Sequence, residues 1–173
     1  MRLNTFTDYC LRVLMYCALT GGRLATISEI SAAYGISASH LTKVVFFLGQ
    51  QGYLETVRGK GGGMRLRPKP EQVDLGRLAR IAETDNALVE CFDPDNASCR
   101  IAPACQLRAI LRAAQEAFYA ELSRHTLADL TASPQPLVEF LGVPILPSPT
   151  KTRRGAAHEN RGRGVTVSGD YGV

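Results

Sequence analysis

The sequence contains no hydrophobic run of membrane-spanning length, and its first residues, MRLNTFTDYC, contain no apolar signal segment. A membrane-spanning helix needs about 20 consecutive, mostly apolar residues, and a secretory signal needs a continuous apolar stretch. These absences predict a cytoplasmic protein with no membrane partner. The sequence also lacks a recognisable grouping of base, nucleophile and oxyanion donor, which argues against an enzyme.

Histidine is scarce, at three residues in 173, and none lies between Glu90 and Leu107, the segment that holds three of the five cysteines. Seven residues separate Cys91 from Cys99, and five separate Cys99 from Cys105. A structural zinc site normally takes four Cys or His ligands in tight pairs, so these gaps argue against zinc. A disulfide with one spare thiol suits a secreted protein, which the odd cysteine count and the missing signal segment argue against.

Two interpretations of these three cysteines remain open. Iron-sulfur clusters are held by thiolates, and their potential and lability depend on ligand type and exposure. Three thiolates with one foreign ligand would therefore hold a cluster that can be lost. The plainer alternative is three unligated thiols. A calcium loop is not indicated, because Ala97 and Ser98 follow Asp93, Asp95 and Asn96 where such a loop needs a ligand and a glycine.

Positive charge is concentrated in the first part of the chain. Residues 1 to 70 contain nine Lys or Arg against three Asp or Glu, whereas residues 71 to 144 contain six against eleven. Residues 145 to 173 contain five against two. The basic first part predicts binding to a polyanion such as DNA, and the acidic middle predicts a different module. A merely lopsided solvated surface is the alternative.

A first helix is predicted over residues 7 to 19, where apolar residues recur at helical spacing. Cys10 and Cys17 lie in this helix and are interpreted as small core residues. Asp8 and Arg12 lie one turn apart on one face of it. From the sequence alone, they are interpreted as a surface ion pair that contributes roughly a few tenths of a kcal/mol.

Two further helices joined by a glycine turn predict a helix-turn-helix. The first opens with the capping-box pattern TISE at residues 26 to 29 and stops at Gly35. The second begins after Ser37 and carries apolar residues at i, i+3, i+4 and i+7 from Leu41. The opposite face is small and polar, which suits contacts with base edges and phosphates. The predicted DNA-contacting residues of this pair are Ser28, Ser37, Ser39, His40, Thr42 and Lys43.

A basic β-hairpin is predicted directly after these helices. Residues 53 to 57 and 64 to 67 have strand patterns, and the turn between them is RGKGGG. A helix-turn-helix followed by such a hairpin predicts a winged helix, with Arg58 and Lys60 on the phosphate backbone. The glycines do not form a phosphate-binding loop, because Gly61 follows Lys60 and Met64 stands where the dinucleotide pattern needs glycine.

A helix capped by Asp74 is predicted to lead into the cysteine segment, and a long helix from about residue 103 to 130 is predicted to follow. Cys105 would lie in its first turn, where the helix dipole stabilises a thiolate or an anionic cluster. Its apolar stripe, which includes Phe118 and Leu122, predicts pairing with a second copy. Packing inside the monomer is the alternative.

Four segments together resemble one family of regulators: MRLNTFTDYCLRVLMYCAL, GISASHLTKVVFFLGQQGYL, TVRGKGGGMRL and LVECFDPDNASCRIAPACQL. They are similar to the NsrR family of nitric-oxide-sensing repressors, within the Rrf2 superfamily. The resemblance implies a homodimer that binds double-stranded operator DNA, holds a 2Fe-2S or 4Fe-4S cluster on Cys91, Cys99 and Cys105, and is released by nitric oxide. It also implies that Asp8 of the other subunit is the remaining ligand and that Arg12 supports it.

Two alternatives stay open. The related IscR regulators of cluster assembly, which include redox sensors, use a histidine three residues after the last cysteine, where this chain has Arg108. That departure favours the nitric-oxide sensors. The second alternative is a thiol-based DNA-binding regulator without a cluster.

The predicted fold is mainly α with a small β-hairpin. Residues 1–70 are predicted to form a winged helix-turn-helix DNA-binding domain, and residues 71–130 an iron-sulfur sensor loop and a dimerisation helix. Residues 131–173, rich in Pro, Gly and Arg, are predicted to be a disordered tail.

Overall fold

Seven α-helices, two β-strands and three single 3₁₀ turns form the residues that this computed structural model describes, which are 3–83, 87–93 and 99–144. The helices are α1 (Thr5–Leu19), α2 (Ile27–Tyr34), α3 (Ala38–Gln50), α4 (Leu75–Ala82), α5 (Gln106–Leu122), α6 (Leu127–Leu130) and α7 (Pro134–Leu141). The strands are β1 (Leu54–Val57) and β2 (Gly63–Leu66). The predicted fold class is confirmed. Within these ranges, no helix is both long enough and apolar enough to cross a membrane.

Helix α1 lies at the centre of the core. It begins where the Asn4 side chain accepts the Thr7 backbone N–H at 2.6 Å, and it packs against α3, α4, α6, α7 and β2. Cys10 and Cys17 lie on its buried face, so the prediction that they are core residues is confirmed. Burial raises the pKa of both thiols to about 12, which keeps them protonated at neutral pH.

Helices α2 and α3 form the predicted helix-turn-helix. The Thr26 hydroxyl accepts the Glu29 backbone N–H at 3.2 Å, and the Glu29 carboxylate accepts the Thr26 N–H at 2.6 Å, which completes the capping box. Gly35 ends α2 in the left-handed conformation that favours glycine, with φ at +66°. Ser37 caps α3, as predicted. The buried face of α3 consists of Leu41, Val44, Val45 and Leu48.

Strands β1 and β2 form the predicted wing, an antiparallel hairpin that pairs Leu54 with Leu66. The wing is fixed to the helices by a bridge that no sequence pattern indicated. Ala25, just before α2, exchanges backbone hydrogen bonds of 2.8 and 2.7 Å with Met64. Gly63 permits this approach, because a Cβ there would lie 2.5 Å from the Ala25 carbonyl oxygen. The wing therefore has a set position relative to α2.

Helix α5 packs on α4. Gly76 of α4 lies so close to α5 that a Cβ there would collide with the Ser123 hydroxyl and the Tyr119 carbonyl oxygen. Arg80 of α4 donates to both carboxylate oxygens of Glu116 at 2.8 and 2.7 Å, and its guanidinium lies 4.5 Å from the centre of the Tyr119 ring. Tyr119 is the buried residue of α5.

The prediction of one helix from residue 103 to 130 is wrong, because this stretch contains a 3₁₀ turn, α5 and α6. Helix α5 ends at Leu122, and a new capping box formed by Thr126 and Asp129 begins α6. Between the two helices the chain turns back towards α4, where the His125 carbonyl accepts the Leu75 N–H at 3.1 Å.

The prediction of a disordered tail is wrong for the part that forms α7. Pro134 is tolerated there because a proline in the first turn removes no helical hydrogen bond. Val138 and Leu141 then pack against the core, and Val143 is buried. The remainder of the predicted tail, residues 145–173, lies outside the described residues.

Candidate functional site

The predicted DNA-contacting residues of α2 and α3 are exposed. Ser28 lies in the first turn of α2, and Ser39, His40 and Lys43 lie along α3 opposite its buried stripe. Hydrogen bonds and a ring contact hold several side chains of this surface in place. Thr42 donates its hydroxyl to the Ala38 carbonyl at 2.8 Å, the Ser37 hydroxyl accepts the His40 N–H at 3.4 Å, and the His40 ring lies 6.1 Å from the Tyr9 ring.

The wing carries the other two predicted DNA contacts, Arg58 and Lys60, both exposed in its turn. Glu55 is the one acidic residue of the hairpin sequence, and its carboxylate accepts two hydrogen bonds of 3.0 Å from Arg65 across the strands. This pairing neutralises the carboxylate and leaves a cationic tip, which suits contact with phosphates.

Asp8 and Arg12 form the ion pair expected from their spacing. Arg12 Nε lies 2.8 Å from Asp8 Oδ2, and the two side chains are 42% and 43% exposed. They line a groove of about 540 Å³ together with Tyr9 and Tyr34. The Arg12 guanidinium lies 5.6 Å from the centre of the Tyr34 ring, at the end of α2. This groove therefore joins α1 to the first helix of the helix-turn-helix.

Tyr34 is a residue of this groove that sequence reasoning missed. Its hydroxyl is buried and has no hydrogen-bond partner among the described residues, and burial raises its pKa to about 12. A buried hydroxyl without a hydrogen-bond partner is unfavourable, so a hydrogen bond to the Tyr34 hydroxyl would be stabilising. No local spacing could have indicated it, because Tyr34 lies 22 positions after Arg12 in the sequence.

Asn4 joins α1 to the end of α4, a link that the sequence also did not indicate. Its backbone N–H donates to Glu83 Oε1 at 2.8 Å, and its side-chain amide donates to the Ala82 carbonyl at 3.3 Å. Glu83 is buried, which is unusual for a carboxylate. This link joins the helix that carries Asp8 to the end of α4, the helix that precedes the cysteine segment in the sequence.

The three cysteines of the segment are free thiols and half-buried. Cys91 lies in a 3₁₀ turn, and the Cys99 carbonyl accepts the Ala102 N–H at 3.1 Å. Cys105 was expected in the first turn of the helix, but its extended backbone makes it the cap residue before Gln106. Among the described residues, no three Cys, His, Asp or Glu side chains lie together as a metal site. The three predicted ligands are thus not gathered around one point.

The chemistry of these donors nevertheless fits an iron-sulfur cluster. Thiolates that bind iron must be accessible and free of other bonds, and Cys91, Cys99 and Cys105 meet both conditions, whereas the two core cysteines are buried. The turn that carries Cys91 also contacts α5, because the Arg112 guanidinium lies 5.3 Å from the centre of the Phe92 ring.

One face of α5 is apolar and exposed. Leu107 and Ile110 are 59% and 63% exposed, and Ala114 and Ala117 follow on the same face. Phe118 and Leu122, which the sequence predicted as interface positions, are half-buried. The exposed part of the predicted apolar stripe therefore lies nearer the start of α5 than Phe118 and Leu122 do.

Comparison with known proteins agrees with this architecture. The model of the Rrf2 family, described as an iron-dependent transcriptional regulator, matches residues 3–133. The HTH-type transcriptional regulator NsrR of Bacillus subtilis is 43% identical over 142 residues, which are 82% of this chain and 97% of that protein. NsrR of Geobacillus kaustophilus is 44% identical over 131 residues, 75% of this chain and 89% of that protein.

The crystal structure of Staphylococcus aureus CymR in its oxidised form has the same fold, with a TM-score of 0.59 at 23% identity over 75% of this chain and 95% of that one. The expectation of a regulator rather than an enzyme is also confirmed, since the relatives are named as regulators of transcription. The chain belongs to the Rrf2 family of transcriptional regulators, in its NsrR group.

Proposed function

We propose that this chain is a nitric-oxide-sensing transcriptional repressor that acts as a homodimer. Its winged helix-turn-helix, within residues 1–70, binds double-stranded operator DNA while a 2Fe-2S or 4Fe-4S cluster is held by the cysteine segment. Residues 71–130 sense the signal and join the two subunits. Nitric oxide destroys the cluster and lowers the affinity for the operator.

The observation that carries the sensing part is the contrast between two groups of cysteines. Cys10 and Cys17 are buried in the core, whereas Cys91, Cys99 and Cys105 are accessible and unpaired. A free cysteine is usually buried in the core. Three accessible thiols in one short segment do not serve core packing, and such exposure is typical of cysteines with a chemical role. The resemblance to nitric-oxide-sensing repressors includes the same segment.

Asp8 of the partner subunit is proposed as the remaining ligand. A bound cluster would supply iron that reacts with nitric oxide, and a carboxylate is a harder ligand for such iron than a thiolate, so its bond is the weakest. Asp8 is available because an exposed ion pair such as that with Arg12 contributes only about 0.3–0.5 kcal/mol. Arg12 also lies against the Tyr34 ring, and that contact does not depend on Asp8 as a partner.

Helix α1 is the proposed route from the ligand to the DNA-binding surface. Arg12 contacts Tyr34 at the end of α2, and Tyr9 contacts His40 at the start of α3. A displacement of α1 at Asp8 therefore acts on both helices of the helix-turn-helix. The coupling works in both directions, so operator DNA should in turn stabilise the arrangement that holds the cluster.

Replacing Asp8 by alanine tests the proposed ligand. The three thiolates should still assemble a cluster, but its visible absorption should change and its reaction with nitric oxide should differ. The measurement is an absorption spectrum of anaerobically reconstituted protein, followed by a nitric oxide titration. Glu55→Ala is a matched control, because it also removes a carboxylate from an exposed ion pair. Spectra and titrations of the Asp8 variant that match the wild type would exclude Asp8 as a ligand.

Replacing Lys60 by alanine tests the proposed phosphate contact of the wing. Binding should weaken by a similar factor for every DNA sequence, and the slope of log affinity against log salt should fall by about 1. The measurement is the affinity for operator and random duplexes at several salt concentrations. Lys69→Ala removes an exposed lysine outside the hairpin and should leave the slope unchanged. A Lys60 effect confined to the operator would contradict a phosphate contact.

A further inference from the structure

Phe46 is an exposed aromatic residue in the middle of the polar face of α3. Its side chain is 66% exposed. A single exposed apolar residue is common on protein surfaces and means little by itself. The exposure of Phe46 is informative because Phe46 lies on the same face of α3 as several predicted DNA contacts.

Helix geometry places Phe46 at the centre of that face. At about 100° per residue, Phe46 lies only about 20° from Ser39 around the helix axis and falls between Thr42 and Lys43. The buried residues Leu41, Val44, Val45 and Leu48 occupy the opposite side. The neighbouring Phe47 lies at the edge of that buried side, where its ring meets the Phe6 ring at 5.2 Å. Of the two adjacent phenylalanines, one therefore packs and the other faces outward.

The length of the face suits the major groove of DNA. From Ser39 to Phe46 the helix rises about 10 Å, which is the length of about three base pairs. The C5-methyl group of thymine is the apolar group that base edges present in the major groove, and phenylalanine is one of the side chains that contact it. Ser39, Thr42 and Lys43 offer polar groups to the same stretch.

We propose that Phe46 is a specificity-determining residue that contacts a thymine C5-methyl group in each half-site of the operator. The proposal rests on the proposed function, since it requires α3 to lie in the major groove. The contact with the methyl group would select for thymine, in addition to the polar contacts that the sequence predicts. Operators bound by this chain should therefore require a thymine at one fixed position of each half-site.

The test begins with the full-length protein, purified anaerobically, and a library of random duplexes from which it selects its preferred operator. Each thymine of the selected operator is then replaced in turn by deoxyuridine, which removes only the C5-methyl group. For the wild type, one substitution in each half-site should weaken binding by about fourfold, the value of one buried methyl-sized group. Phe46→Ala should weaken binding to the selected operator on the order of tenfold, within the range for a lost base contact.

The decisive measurement combines the Phe46→Ala protein with the uracil-substituted operators. Phe46→Ala should be insensitive to uracil at the position where the wild type is sensitive, since the same contact cannot be lost twice. Phe140→Ala is the matched control, because Phe140 is an exposed phenylalanine on α7, 85% exposed. It should keep the wild-type affinity and the wild-type sensitivity to uracil.

The outcomes separate this proposal from the proposed function. If no sequence is enriched from the library, operator binding fails and this proposal fails with it. If an inverted repeat is enriched but the wild type ignores every uracil, the Phe46 contact is wrong while operator binding stands. Equal sensitivity of Phe46→Ala and the wild type at the same thymine also overturns the proposal, because the methyl group is then contacted by another residue.

Discussion

Replacing Cys99 by alanine is expected to abolish the cluster and to reduce operator affinity to the level of random DNA. Two thiolates and one carboxylate leave the iron without enough soft ligands, so the cluster should fail to assemble. Specific binding exceeds non-specific binding by roughly 10³-fold or more in regulators of this kind, and that is the expected loss. Iron and sulfide analysis after anaerobic reconstitution, with operator binding on the same sample, measures both effects. Cys91→Ala and Cys105→Ala should behave in the same way.

The two core cysteines are the control for this experiment. Cys10→Ala and Cys17→Ala remove buried sulfur atoms and should lower the free energy of unfolding by about 1 kcal/mol. Both variants should nevertheless keep the full iron content, the visible absorption and the operator affinity. A Cys17 variant that folds but lacks iron, beside a Cys99 variant that retains it, would contradict the assignment of the ligands.

Replacing Ile110 by glutamate is expected to produce a monomer that has lost tight operator binding. Ile110 is 63% exposed on the apolar face of α5, where a charge would have to be buried against the partner helix. Each monomer would then reach one half-site, and the gain from binding two linked half-sites, roughly 10²-fold or more, would disappear. Sedimentation measures the mass, and titration of the operator measures the affinity.

Ala109→Glu is the matched control, since Ala109 is exposed on another side of α5. It introduces the same charge next to Ile110 in the sequence and should leave a dimer with normal affinity. An Ile110 variant that remains dimeric would place the subunit interface elsewhere. Phe118 is less suitable for this test because it is half-buried, so a charge there would also lower the stability of the single subunit.

The elements that could be predicted from the sequence are those with signals confined to one or two helical turns. The capping box of residues 26–29, the stop at Gly35 and the cap at Ser37 each act locally, and all three occur in the structure. The apolar stripes likewise placed Cys10 and Cys17 in the core. Such signals are enough to define a helix-turn-helix and its exposed face.

The features that the sequence did not indicate depend on contacts between distant parts of the chain. Apolar spacing continues beyond Leu122, so it could not show that α5 ends there, where the chain turns back and His125 bonds to Leu75. Asn4 and Glu83 are 79 positions apart, and nothing in either local sequence indicates their hydrogen bond. These contacts are determined by tertiary packing, which the spacing of residues in the local sequence does not indicate.

The candidate site was predictable to different degrees. The three cysteines stand out because they are concentrated in one segment, and the basic wing stands out by its charge. The role of Asp8 follows only from the resemblance to known sensors, since its spacing from Arg12 indicates an ordinary ion pair. Phe46 could have been found from the helical period, which places it opposite the buried stripe, but it does not fit the usual picture of a polar DNA-binding face.

The most direct test of the central proposal, that the cluster controls DNA binding, is an anaerobic nitric oxide titration of the cluster-loaded dimer bound to its operator. Visible absorption reports the cluster, and fluorescence anisotropy of a labelled operator reports binding in the same sample. We expect operator affinity to fall in step with the loss of absorption and to end at the affinity of the Cys99→Ala protein. Affinity that stays unchanged after the absorption is lost would mean that the cluster is not the switch.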